Sequence, residues 1–195
     1  MGNDYIGSAA IYLISTLFSF YLGLVMIRFL LQLVRADFHN PLSQFIVKVT
    51  NPLLRPLRRI IPGISGIDVA SLVLLLGLQV LMMWLLHMAT GRAIHVGGLL
   101  LLSLAELISL LLTIYLIAII AQAILSWIGP HPHTYNPFSS LLYSLTEPVM
   151  RPARRLIPPI SGIDLSPILV IVILQLMKIL VVAPITDLGR SLGYN

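Results

Sequence analysis

Six residues of one short segment, Arg55, Pro56, Arg58, Arg59, Gly66 and Asp68, recur 96 positions later as Arg151, Pro152, Arg154, Arg155, Gly162 and Asp164. On a helix, arginines at i, i+3 and i+4 share one side, so each segment presents three guanidinium groups together. Such a cluster can attract phosphate-bearing lipid headgroups, each cation adding about 1 kcal/mol beside an anionic leaflet. It can also pair with Asp68 or Asp164, within one copy or across the two, or it can dock a partner. Setting the direction of membrane insertion requires only the positive charge. The accompanying prolines and the repeated Ser-Gly-Ile-Asp therefore specify a loop shape as well.

A second set of polar residues lies inside apolar runs. Gln79 and Gln175 occupy corresponding positions, whereas Glu106 and Lys178 do not, their counterparts being Ala10 and Met82. At a helical rise of 1.5 Å per residue, Glu106 and Lys178 fall at similar depths, roughly 10 to 14 Å below one membrane face. An ion pair between them is expected, because a lone charge at that depth is expensive. Gln79, Gln175 and Gln122 suit hydrogen bonding between helices, with a solute or ion pathway as the sharper reading. His131 and His133 sit in a proline-rich turn without nearby cysteine or carboxylate, so no metal or haem site is expected. The chain has no cysteine, which excludes disulfides and thiolate chemistry. No phosphate-binding loop, zinc-protease helix, nucleophile elbow or loop carboxylate pair is present. Neither an enzymatic activity nor a cofactor is expected.

The elements that position these groups follow from the repeat. Residues 40–68 and 136–164 align without a gap, and 16 of 29 positions are identical, from Asn40 and Pro41 through Thr50, Pro52 and the arginines to Asp68. Each copy lies between two long apolar runs, which marks a tandem duplication. The chain is 58% hydrophobic and 10% charged, where soluble domains carry about 25% charged residues. Lipid must therefore solvate most of its surface. Four spans are expected, at about Tyr5–Ile27 (continuing toward Val34), Val69–Met88, Leu99–Ile128 and Leu165–Val182, against the roughly 20 helical residues a bilayer demands; the third is long enough to be strongly tilted or to project from the bilayer. No cationic leader precedes the first span, so no cleaved signal is expected. Arg28, near the far end of span 1, is expected to snorkel to the headgroups. Ser15, Ser19 and Gly23 share a face that could admit a neighbouring helix. Span 4 is expected to stop before Pro184, leaving a polar tail.

Between spans 1 and 2, Pro41 opens a helix whose Leu42, Phe45, Ile46 and Val49 form an apolar stripe. This amphipathic segment is too short to cross and suits the interface. Pro52 is expected to break it, with Pro56 in the first turns of a second short helix. Asp68 is suited to cap the next span. The second copy repeats this logic from Pro137 to Asp164. Positive charge collects in both repeat loops, whereas the loop between spans 2 and 3 holds only Arg92. Both repeat loops are therefore expected in the cytoplasm and both termini outside. Residues 1–96 and 97–195 form two units that insert the same way up, a parallel repeat rather than an inverted one. The expected fold is an all-α membrane protein of four transmembrane helices in two parallel-repeat hairpins, each with a short interfacial amphipathic helical segment in its cytoplasmic loop. The net charge of +5 reflects this topology, and direct nucleic-acid contact is not expected.

The paired Asn-Pro-[Leu/Phe]-Ser and Thr-[Asn/Glu]-Pro-x-x-Arg-Pro-x-Arg-Arg-[Ile/Leu]-Ile-Pro-x-Ile-Ser-Gly-Ile-Asp motifs resemble the YggT family of small bacterial integral membrane proteins, called YlmG in cyanobacteria and plastids. The resemblance covers nearly the whole chain in its two-unit form. It implies a four-span inner-membrane protein and carries over no catalytic residue. It also implies a setting in osmotic-stress tolerance, or, for plastid members, in thylakoid cytochrome maturation and nucleoid distribution. The second copy departs at Pro159, where the first has Gly63. Two functions follow as expectations. One is a non-enzymatic inner-membrane scaffold or assembly factor whose loops engage anionic lipid or a membrane-protein partner. The other is a small channel or transport component for osmotic adjustment, which would require a homo-oligomer because two hairpins supply too few helices for a wide pore.

Overall fold

The computed structural model describes residues 3–64, 66–91, 94–128, 136–157 and 164–193, and the side chains of all of these except 3, 4, 127 and 128. Arg92, His131, His133, Pro159 and Gly162 lie outside the described residues. The described chain is helical, the one β-type feature being a bridge between Ile64 and Ile67. The helices are α1 (Asn3–Leu33), α2 (Pro41–Ile60), α3 (Val69–Thr90), α4 (Val96–Ile128), α5 (Pro137–Leu156), α6 (Ser166–Met177) and α7 (Ala183–Gly193). A π-helical turn, Lys178–Val182, joins α6 to α7.

Among the described residues, four helical stretches are long and apolar enough to cross a membrane: Tyr5–Leu33, Val69–Thr90, Val96–Ser126 and Ser166–Gly193. Their outer faces carry exposed Tyr12, Leu17, Phe20, Ile117, Ile168 and Leu180. Water would penalise that much apolar surface and lipid does not, so this is a multi-pass membrane protein. Inside, α1 packs on α3, α4 on α6 and α7, and α3 on α4. Leu22, Val25, Leu30, Leu75, Leu112, Ile119, Val170 and Leu174 fill one buried cluster, which Leu54 of α2 and Leu142 and Met150 of α5 close at one end.

Three local features depart from the sequence reading. First, Pro52 does not break its helix: α2 is one run of 20 residues through Pro52 and Pro56, and α5 runs through Pro148 and Pro152. Each proline removes one backbone donor. However, all four prolines are exposed, while Ser43, Ile46, Thr50 and Leu54 form an unbroken buried row on the other side of α2. Packing along that row holds the helix together, as tertiary contacts routinely do for marginal helices. Second, the last helix does not stop before Pro184. It widens to π geometry just ahead of the proline, and Ala183 donates its N–H to Lys178 O five residues back. The wider turn makes room for the pyrrolidine ring, so Asp187 and Arg190 belong to the helix rather than to a tail.

Third, the close helix crossing is not at Ser15, Ser19 and Gly23, since a Cβ at Gly23 would meet nothing within 4 Å. It lies between Gly98 of α4 and Gly189 and Gly193 of α7. A Cβ on Gly98 would collide with the Gly193 backbone and would sit 2.7 Å from Gly189 O. His95 N–H donates to Gly193 O at 3.2 Å across the same crossing.

Candidate functional site

The loop chemistry begins with two helix caps. Asn40 Oδ1 accepts the Leu42 N–H at 2.9 Å, and Asn136 Oδ1 accepts the Phe138 N–H at 3.0 Å. Pro41 and Pro137 each follow as the first helical residue, a position where a missing N–H costs nothing. The two copies meet here: α2 touches α5, and buried Asn40 donates through Nδ2 to Pro137 O at 2.6 Å.

At its far end α2 leads into a tight turn. Ile64 N–H donates to Ile67 O at 3.2 Å and Ile67 N–H to Ile64 O at 2.9 Å. Gly66 sits within that turn at φ 85°, in a left-handed region that a Cβ disfavours. The turn delivers Asp68 to the start of α3, where Arg58 Nη2 and Ser71 Oγ both donate to its Oδ2. Asp68 is 5% exposed. Burial alone would push its carboxyl up, but the Arg58 and Ser71 hydrogen bonds and the Arg58 charge outweigh that and hold it below its ordinary range.

The second copy builds the same clasp with shifted parts. Arg154 Nε donates to Asp164 Oδ2 at 2.9 Å, and Ser166 donates to Oδ1 through its backbone N–H at 2.9 Å and its hydroxyl at 2.6 Å. Pro167 stands where the first copy has Ser71, so the serine lies one residue earlier and α6 starts at Ser166 after Leu165. Asp164 therefore acts one residue upstream of the cap position expected for it. Its carboxyl too is held below the ordinary range, since the Ser166 and Arg154 hydrogen bonds outweigh burial. Both pairs form within a copy rather than across the two.

The three arginines of each copy do not act together. Arg58 and Arg154 turn to the clasp, while Arg55, Arg59, Arg151 and Arg155 are exposed, as are Pro56 and Pro152. Arg151 pairs with Glu147 at 3.2 Å one turn back, and Glu147 also receives Arg154 Nη1 at 2.9 Å.

Arg28 overturns the expectation that it snorkels. It is 3% exposed and reaches α2, donating to Thr50 Oγ1 at 2.6 Å, Val47 O at 3.2 Å and Asn51 Oδ1 at 2.9 Å. The corresponding Thr146 instead donates to Gln122 Oε1. A sequence signal for this network existed: Thr50 and Thr146 are retained within apolar stripes, where a hydroxyl needs a reason.

Among the described residues the intramembrane polar groups do not converge. Glu106 is exposed and forms no ion pair with Lys178, whose Nζ donates to Thr113 Oγ1 at 2.7 Å. The hydroxyl gives the ammonium a partner from the facing helix, which relieves the need for a carboxylate. Gln79 is buried on α3, whereas Gln175 is exposed on α6. The duplicated position thus has two environments.

A family model described as CCB3/YggT matches residues 7–89 and again residues 101–185. The chain belongs to the CCB3/YggT family. Each match spans one copy of the duplicated unit. A Pseudomonas aeruginosa protein is 49% identical over 195 residues, covering 96% of this chain and 97% of its own. The YggT protein of Escherichia coli K12 is 34% identical over 184 residues, 93% of each chain. The ycf19 protein of the alga Guillardia theta is 42% identical over 65 residues, 33% of this chain but 69% of its own. The CCB3/YggT relatives thus include one about a single unit long. No solved structure matches.

Proposed function

We propose that the chain is a non-enzymatic scaffold or assembly factor of the bacterial inner membrane, with two hairpin units (residues 1–96 and 97–195) inserted the same way up. In this reading α2 and α5 lie at the interface as amphipathic helices, the arginine elbows face the cytoplasm and both termini face outward. The observation that carries it is the clasp. Asp68 and Asp164 each hold one arginine of their copy, which fixes the elbow and leaves Arg55, Arg59, Arg151 and Arg155 displayed outward. A flexible basic loop would serve insertion equally well, so a braced display favours recognition of a membrane partner, of anionic lipid or of a second copy. The resemblance to the YggT family supports a tie of this role to envelope or osmotic-stress physiology.

Replacing Arg55, Arg59, Arg151 and Arg155 together with Gln should abolish partner crosslinking in native membranes while insertion stays intact. Unchanged crosslinking overturns the reading. The transport alternative draws less support, because Gln79, Gln175, Glu106 and Lys178 occupy different surroundings instead of one path.

A further inference from the structure

The two copies share a clasp but differ in what surrounds it. In the first, Arg28, Gln32, Gln44, Lys48, Asn51 and Arg58 line a cleft of about 560 Å³ between the end of α1 and α2, with Phe38 and Val47 as its apolar wall. Three cations thus border one cleft, and among the described residues the single carboxylate bonded to any of them is Asp68, on Arg58. Among the same residues, buried Arg28 bonds only neutral oxygens, those of Val47, Thr50 and Asn51. A buried guanidinium without a counter-ion is unfavourable unless an anion arrives.

The second copy shows the same scaffold with more of its charge paired. Ile124 stands in place of Arg28, Ser144 in place of Lys48, Ile128 in place of Gln32 and Glu147 in place of Asn51. Two carboxylates, Glu147 and Asp164, then converge on Arg154. The duplication therefore yielded one elbow with two carboxylates against its three arginines and one whose cleft is shorter of negative charge.

We infer that the cleft of the first unit is a binding site for a phosphate-bearing anion, held by Arg28, Lys48 and Arg58 and oriented by the side-chain amides of Gln32 and Asn51. Guanidinium groups match the oxygens of a phosphate in pairs, and the ammonium adds a point charge. The phosphate has two sources, the phosphodiester of an anionic lipid or a phosphate compound in solution. The cleft volume lies within the range of small-molecule sites and exceeds what inorganic phosphate fills. The inference rests on the cytoplasmic, interfacial placement of the elbows, but the exposed arginines of the proposed docking surface are not part of it.

The test uses the full chain in nanodiscs of phosphatidylcholine, with and without phosphatidylglycerol, and in detergent titrated with inorganic phosphate. Lipid retention is read by native mass spectrometry and protection by thermal unfolding. Asn51→Glu copies the carboxylate of the second unit beside Arg28 and should lower phosphatidylglycerol retention at least tenfold without lowering the melting temperature. Lys48→Gln, at an exposed position, should lower retention several-fold, and Arg35→Asn, which removes an exposed cation outside the cleft at a φ of 52° that asparagine tolerates, should leave it unchanged. Protection by free phosphate with no preference for the anionic lipid, lost in Asn51→Glu, assigns the site to a soluble phosphate compound. Equal binding by the wild type and Asn51→Glu overturns the site. So does an Arg35→Asn loss as large as that of Lys48→Gln, which marks diffuse surface attraction. Because Arg55 and Arg59 are untouched, failure here leaves the crosslinking result standing, and the reverse.

Discussion

At the scale of single residues, Asp68 sets the shape of the first elbow. It caps α3, receives Arg58 and is nearly buried. Asp68→Asn keeps the size but removes the charge, and should cost about 1–3 kcal/mol, read as a drop in melting temperature in detergent. Asp164→Asn should cost less, because Asp164 is 29% exposed against 5% for Asp68. Both carboxyls titrate below their ordinary value of 3.8 in the folded chain. The unfolded chain then binds more protons in that range, so stability rises with pH through it. The clasps should stabilise fully above about pH 4 and weaken as the pH falls further. Melting temperatures of the wild type and the Asp68→Asn, Asp164→Asn double variant should therefore converge on acidification; a gap that stays constant to pH 3 would contradict this account. Gly66→Ala, at φ 85°, should cost about 1–2 kcal/mol and is checked the same way.

At the scale of elements, the crossing of α4 and α7 is the tightest contact. Gly98→Ala places a methyl group against the Gly193 backbone and 2.7 Å from Gly189 O. Backbone cannot swing aside as a side-chain tip does, so the helices must separate, at about 1–3 kcal/mol. Gly23→Ala, which meets nothing within 4 Å, should be neutral or stabilising, since alanine is the better helix former. A thermal comparison of the two variants tests whether the span through Pro184 is one packed helix. If Gly98→Ala melts with the wild type, α7 does not pack as described. The prolines of α2 and α5 teach a related lesson. Four breakers in sequence became two continuous helices because each lies opposite a buried row that the rest of the chain supports.

At the scale of the whole molecule, the duplication gives two elbows built alike, bridged where Asn40 meets Pro137. The proposed function puts both on one side of the membrane, as their shared positive charge favours. The absence of cysteine makes a direct check simple. Arg59→Cys and Arg155→Cys, made singly, should both react with a membrane-impermeant thiol reagent only when the cytoplasmic face is open. Labelling from opposite faces would refute the parallel arrangement. The same symmetry exposes where the copies diverged: one elbow brings two carboxylates onto Arg154 and the other leaves a basic cleft.

The sequence by itself determined the duplication, the four long apolar helices and, as candidate partners for the clustered arginines, Asp68 and Asp164. These are legible because hydropathy over 20 residues and a gapless repeat are properties of the string. Tertiary structure alone decided that the pairs close within a copy, that Arg28 turns inward, that Lys178 meets Thr113 instead of Glu106, and that Pro52 and Pro184 interrupt nothing. Each of those outcomes depends on which atoms from distant segments arrive in the same few ångströms. A hydroxyl or a carbonyl can satisfy a cation as readily as the carboxylate that spacing suggests, and only packing reveals which one is within reach.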